Sequence, residues 1–237
     1  MAVSNSEFAV KSHERPDVLF IEPDTQAFVG TILRDVVPGT ANALAMFSAS
    51  ATVNRVQALP GFTGAAFMVS AADDMLFELV RWQSDASLAA ARGDHRYADH
   101  VAIVEDHSKA LYEGFSSLVS VSASFTLGRG ETVAASLVQA PGKAPEQVFA
   151  LLNLGGPPAP DVLRHVVPIQ EGAAVLTLSK IGRLSLHALS GPESWRGEFR
   201  VVEGVSAAPR SIAAPVKYRL LRQMKDGQSA GSAAADA

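Results

Sequence analysis

The chain contains no cysteine, which removes disulfides, thiolate metal sites, iron–sulfur clusters and a cysteine nucleophile, and fits a reducing cytoplasm. It also lacks an excess of basic charge. Its 20 lysines and arginines against 24 acids leave a formal charge of -4, giving no electrostatic reason for nucleic acid or an anionic membrane as partner. No apolar run approaches the roughly 18 residues of a membrane span. The first residues, MAVSNSEFAVKSHERP, carry charge where a signal peptide would be apolar. These absences predict a cytoplasmic protein without a nucleic acid or membrane partner. What the chain does have is apolar bulk. Hydrophobic residues make up 48% of 237 positions against 19% charged, enough to bury one large core or two small ones.

Cofactor signatures are missing too. Gly155-Gly156 before Pro157-Pro158 lacks the spacing of a dinucleotide loop, and Gly142-Lys143-Ala144 lacks the hydroxyl residue of a phosphate loop. There is no HExxH, and His95, Asp99 and His100 form only a weak ligand group. The expectation is no metal and no cofactor, with dioxygen as co-substrate if the protein oxidises anything.

Along the chain, an arm of residues 1–24 precedes a β-rich stretch, Thr25 to Val37, that stops at Pro38-Gly39. Thr40 is a candidate N-cap for a helix carrying Leu44, Phe47, Ala51 and Arg55, ended by Pro60-Gly61. Phe62 to Ser70 and Met75 to Trp82 read as a hairpin around Ala71 to Asp74. Ser84 to Phe115 reads as two helical pieces broken at Gly93-Asp94, and Leu118 to Leu127 as a strand alternating serine with apolar residues. The order β-α-β-β-α-β is the split-βαβ, ferredoxin-like unit. A second, eroded copy follows: a strand Thr132 to Ala140, a turn at Pro141-Gly142, a helix Pro145 to Leu154, strands Val162 to Ile169 and Ala173 to Ile181, an irregular Pro192 to Val205, and a last strand Pro215 to Arg222. The predicted architecture is α+β: two tandem ferredoxin-like lobes, residues 25–127 and 128–225, joined near Gly128-Arg129-Gly130, with a disordered polar tail at 226–237.

Three stretches carry a resemblance: Pro60-Gly61-Phe62, Phe77 to Ser84 with Trp82 at the strand's end, and Gly93 to Tyr97. They resemble the antibiotic biosynthesis monooxygenase family of dimeric α+β barrels over about residues 25 to 125. The resemblance implies a pocket between sheet and helices on the Trp82 side, and a fused chain serving as its own pseudo-dimer, with further homodimerisation open. It also implies oxidation of an electron-rich aromatic, polyketide-like substrate by dioxygen without metal or flavin. The family's asparagine four residues before that tryptophan is replaced here by Glu78, and its helical tyrosine and arginine fall on Leu88 and Val101.

Strand alternation puts Glu78, Val80 and Trp82 on one face. A carboxylate in an apolar cleft has its pKa raised, as a general base near neutrality requires, so Glu78 is the candidate base. The competing reading is a structural carboxylate, paired with Arg96 or standing at the sheet's wet edge. Trp82 is the candidate for orienting a ring through its N–H, and His100 for relaying a proton. Met68, Phe47, Tyr97 and His107 are candidates for holding the substrate. The same barrel also suits two other activities, an aromatic polyketide cyclase or a protein that only binds a small molecule.

Overall fold

Short-range chemistry sets the element boundaries in the computed structural model, which describes residues 18–21, 28–180 and 195–206. Strand β1 (Val18–Ile21) precedes β2 (Phe28–Val36), and helix α1 (Ala41–Ala51) runs into a π-helical turn, Thr52–Val56. Thr40 takes the N-cap position but makes no capping bond. Its hydroxyl donates to the Val37 carbonyl (2.6 Å), and the exposed Asn42 N–H is accepted instead by Asp73 Oδ1 (2.7 Å) from the next hairpin. That hairpin is β3 (Phe62–Ser70) and β4 (Met75–Trp82). Helices α2 (Asp85–Arg92) and α3 (His95–Asp106) start at side-chain caps, Ser84 accepting from Ser87 N and Asp94 from Arg96 N.

Gly61 stands between helix and hairpin with φ +82°, and a Cβ there would lie 2.3 Å from Ser87 Oγ. Both the left-handed backbone and the close approach demand glycine. Gly61→Ala is expected to cost about 1–2 kcal/mol or more, read as a lower urea midpoint at unchanged slope.

The remaining elements are β5 (Ser108–Ser116), β6 (Val119–Val121), β7 (Phe125–Gly128), β8 (Thr132–Pro141), α4 (Pro145–Leu154), β9 (Val162–Ile169), β10 (Gly172–Lys180) and β11 (Trp195–Ser206). Nine strands form one sheet in the order β5-β2-β4-β3-β11-β8-β10-β9-β6. The first four and the next four each show the fourth-first-third-second order of a split βαβ unit, so both predicted ferredoxin-like lobes are present as sheets. They join edge to edge through the antiparallel β3–β11 ladder, Ser70 opposite Phe199 and Gly64 opposite Ser206, within a single compact unit that ends at Ser206.

The sheet then closes on itself. β5 pairs with β2, while β6, three residues further along, pairs with β9. Val166 N donates to the Leu118 carbonyl (2.9 Å), and the Ser116 hydroxyl donates to the Val166 carbonyl. Closure removes the free edges that each lobe alone would present. Gly114 is needed at this seam, since a Cβ there would meet Val167 Cγ2 at 2.9 Å.

The barrel interior is packed with Leu33, Met68, Phe77, Leu79, Leu176 and Phe199, and the small β1–β7 sheet adds Leu19, Ile21, Phe125 and Leu127 to the same core. Polar side chains also lie inside, centred on His165. His165 Nε2 is 2.9 Å from Ser116 Oγ, and its Nδ1 is 3.5 Å from Thr31 Oγ1. The single Ser116 hydrogen goes to Val166, so Nε2 carries the proton and donates, leaving Nδ1 to accept from Thr31. Burial pushes the His165 pKa down to about 3. Its ring is therefore neutral in the fold, whereas the unfolded chain takes up a proton below about pH 6.5. The stability this difference provides is present above about pH 6.5 and is lost progressively as pH falls toward about 3. Glu78, whose pKa is raised, acts in the opposite sense. Urea midpoints should fall between neutral and weakly acidic pH, with a flatter decline in His165→Gln. An unchanged slope would show that His165 does not carry the effect.

Three expectations are corrected. Ser108 to Phe115, expected as helix, belongs to strand β5: α3 ends where His107 Nδ1 meets the Ile103 carbonyl (2.9 Å) and the Ser108 hydroxyl donates to that of Val104 (2.6 Å), and pairing with β2 overrides weak local preference. Leu118 to Leu127 is two strands, because β6 pairs with β9 and β7 with β1. The closing strand beside β8 is Trp195–Ser206, expected as irregular, in which Phe199 and Val201 face inward before a bulge between Val201 and Glu203. The strand expected at 215–222 and the tail at 226–237 lie outside the described residues.

Candidate functional site

The other face of the first lobe's sheet is covered by α1, the π-helical turn, α2 and α3. Alternation on β4 sends Glu78 and Trp82 to this side and Phe77 and Leu79 into the barrel, as the sequence predicts. Between sheet and helices is an inner cavity of about 40 Å³, lined by Arg34, Glu78, Tyr97 and His100 among apolar side chains. Thr52 and Val56 of the π-helical turn complete its wall. Such one-turn irregularities recur at functional sites.

Glu78 is 4% exposed. Arg34 Nε donates to its Oε2 at 3.2 Å, and Arg34 is equally buried. Burial raises the Glu78 pKa above the ordinary carboxylate value, against the pull of the Arg34 charge and hydrogen bond. The carboxyl is thus poised to hold a proton more readily than an exposed one. Ser48 lies on the same side and also favours the charged form, although its oxygen makes no hydrogen bond of good geometry. His100 is held neutral, its pKa pushed down to about 4 by burial and by the charges of Arg34 and Arg55, and its Nδ1 is buried without a partner. That ring is a poor base but an available hydrogen-bonding group. The Tyr97 hydroxyl, pushed up to about 12 mainly by burial, stays protonated.

Arg34 is the residue that the sequence reading misses. The signal was present: a lone cation in the apolar run Phe28–Val36, in phase with Ile32, which stands opposite Glu78 in the ladder. The arginine offered as partner, Arg96, instead forks onto Asp94 at 2.9 and 2.7 Å across the α3 cap.

The other candidates separate. Trp82 is fully buried behind the cavity, edge-on to Phe62 (5.5 Å) and Tyr97 (5.9 Å), with Nε1 unpartnered. Met68 packs on the opposite face of the sheet, inside the barrel, so it forms no wall for Glu78. Phe47 and His107 come together, but in a second, outer cleft of about 1020 Å³, with Val36, Leu44 and Ile103. The two spaces follow one another along the same elements. β2 supplies Arg34 to the inner and Val36 to the outer, and α3 supplies His100 to the inner and Ile103 and His107 to the outer.

No known sequence family matches the chain, and no curated protein matches it. Solved structures do. An anthrone oxidase-like protein matches at 12% identity and TM-score 0.58, over 83% of this chain and 100% of the other. A candidate monooxygenase from Fusobacterium nucleatum matches at 9% identity and TM-score 0.51, over 77% of this chain and 95% of the other. At these identities what is shared is the fold, the dimeric α+β barrel, here formed within a single chain. The matches extend to DypB of Rhodococcus jostii in complex with heme, at 8% identity and TM-score 0.37 over 68% of this chain and 82% of the other. This corrects the expectation that no cofactor is used, since proteins matched to this fold include one that carries haem. The inner cavity is far smaller than a porphyrin, and both ring nitrogens of His165 are engaged. Among the described residues no helix is long and apolar enough to cross a membrane.

Proposed function

We propose that this protein is an oxidase or monooxygenase related to the antibiotic biosynthesis monooxygenases, acting on an electron-rich, polyketide-like hydroxyaromatic. The observation that carries the reading is the buried Glu78 carboxylate, its pKa raised, in a cavity between sheet and helices, with a much larger cleft further along the same strand and helix. Glu78 takes the proton of a phenol or enol hydroxyl, and His100 and Tyr97 offer hydrogen bonds to the oxygens that result. The ring system lies in the outer cleft against Phe47, with His107 at its rim. Trp82 acts indirectly, by fixing Tyr97. Dioxygen converts an activated methylene of such a substrate to a carbonyl, its second atom leaving as water. The apolar walls keep bulk water from the anion.

Dioxygen uptake in the presence of hydroxyaromatics, with product mass, tests the reading: protein-dependent uptake with gain of one oxygen and loss of two hydrogens is expected. One observation favours a second reading. About 40 Å³ holds little more than a water, while small-molecule pockets usually measure about 300–1000 Å³. A protein that only binds its ligand in the outer cleft would bind the same aromatics without uptake.

A further inference from the structure

Arg34 has more hydrogen-bonding capacity than its ion pair uses. Nε serves Glu78, but Nη1 is buried, faces no acceptor, and belongs to a residue that lines the inner cavity. A shielded cationic N–H without an acceptor is costly, so its presence argues for a ligand atom that completes it. The donor's charge and planar fork suit an oxygen anion. The cavity, however, already balances one negative charge with one positive. A ligand arriving as a full anion would leave excess charge in a dry site, whereas a neutral acid would not.

We propose that Arg34 is the oxyanion-binding residue of this site, and that it exchanges Glu78 for the ligand's oxygen when the ligand's hydroxyl proton moves to Glu78. The step balances. The ligand O–H bond breaks, an O–H bond forms on the Glu78 carboxylate, and the electron pair left on the ligand oxygen accepts from Arg34 Nη1. No electron is lost, and the cavity's net charge is unchanged. The inference rests on the reading of Glu78 as the base and deepens it: Arg34 binds the oxygen of the phenol or enol, and the site takes neutral, weakly acidic hydroxyls in preference to carboxylates or phosphates. The other polar groups that face the pair are Ser48, Thr52, His100 and Tyr97, with Arg55 and Glu113 acting at longer range.

The test uses the full chain and 4-nitrophenol, whose ionised form is coloured, at a pH where free 4-nitrophenol is ionised. Glu78→Gln frees Arg34 of its competing carboxylate, so affinity for 4-nitrophenolate should rise about tenfold or more over wild type. Arg34→Gln should lower it by about tenfold or more. A structural ion pair would give shifts in the same direction, or none, and either result overturns the proposal. Should Arg34→Gln fail to fold by circular dichroism, Glu78→Gln alone decides. Its affinity must rise, and 4-nitrophenolate must raise its unfolding temperature more than that of wild type. Turnover plays no part in these readouts. Opposed shifts without dioxygen uptake keep the oxyanion site and remove the oxygenation reading, while uptake with parallel shifts does the reverse.

Discussion

Glu78→Gln is expected to lower turnover by about 10² to 10⁴, the usual share of a general base, because the amide keeps the side chain's shape but accepts no proton. The same change leaves the buried Arg34 without its counter-charge. Losing one partner of a buried pair commonly costs about 3–5 kcal/mol, trimmed here because the amide oxygen still accepts from Arg34 Nε. Rates should therefore be compared well below the variant's own unfolding temperature. A variant with wild-type turnover at every pH would make Glu78 a structural carboxylate.

The second large effect is on stability. Trp82→Ala should cost about 3–5 kcal/mol, because it empties a fully buried aromatic position against Phe62 and Tyr97. Trp82→Phe should cost far less, since the indole N–H it removes has no partner to lose. Chemical unfolding measures both. If Trp82→Phe abolished turnover at unchanged stability, the tryptophan would touch substrate, contrary to its position behind Tyr97.

Much of this was legible in the sequence because the signals are local. Turn residues delimit the β3–β4 hairpin to the residue, Ser84 and Asp94 announce α2 and α3, and period-two alternation puts Glu78 and Trp82 on one face, which the family resemblance implies is the helix-covered one. What was not legible depends on distant partners. β5 has little strand character of its own and forms because β2 presents a ladder to it, and β11 forms because β3 and β8 do. The site divides the same way. Alternation finds Glu78, but its partner Arg34 lies 44 positions away on a neighbouring strand, whereas Arg96, nearer in sequence, is claimed by its own helix cap. Met68 misled because it neighbours Glu78's strand while pointing to the other face.

The central claim is that a substrate hydroxyl meets Glu78 and Arg34 between sheet and helices. A crystal structure with a bound, unreactive hydroxyaromatic tests it most directly. The account predicts the hydroxyl oxygen within about 3 Å of both the Glu78 carboxylate and Arg34 Nη1, with the ring directed toward Phe47. A ligand lodged wholly in the outer cleft with its hydroxyl in solvent, or within the barrel beside His165, would contradict it.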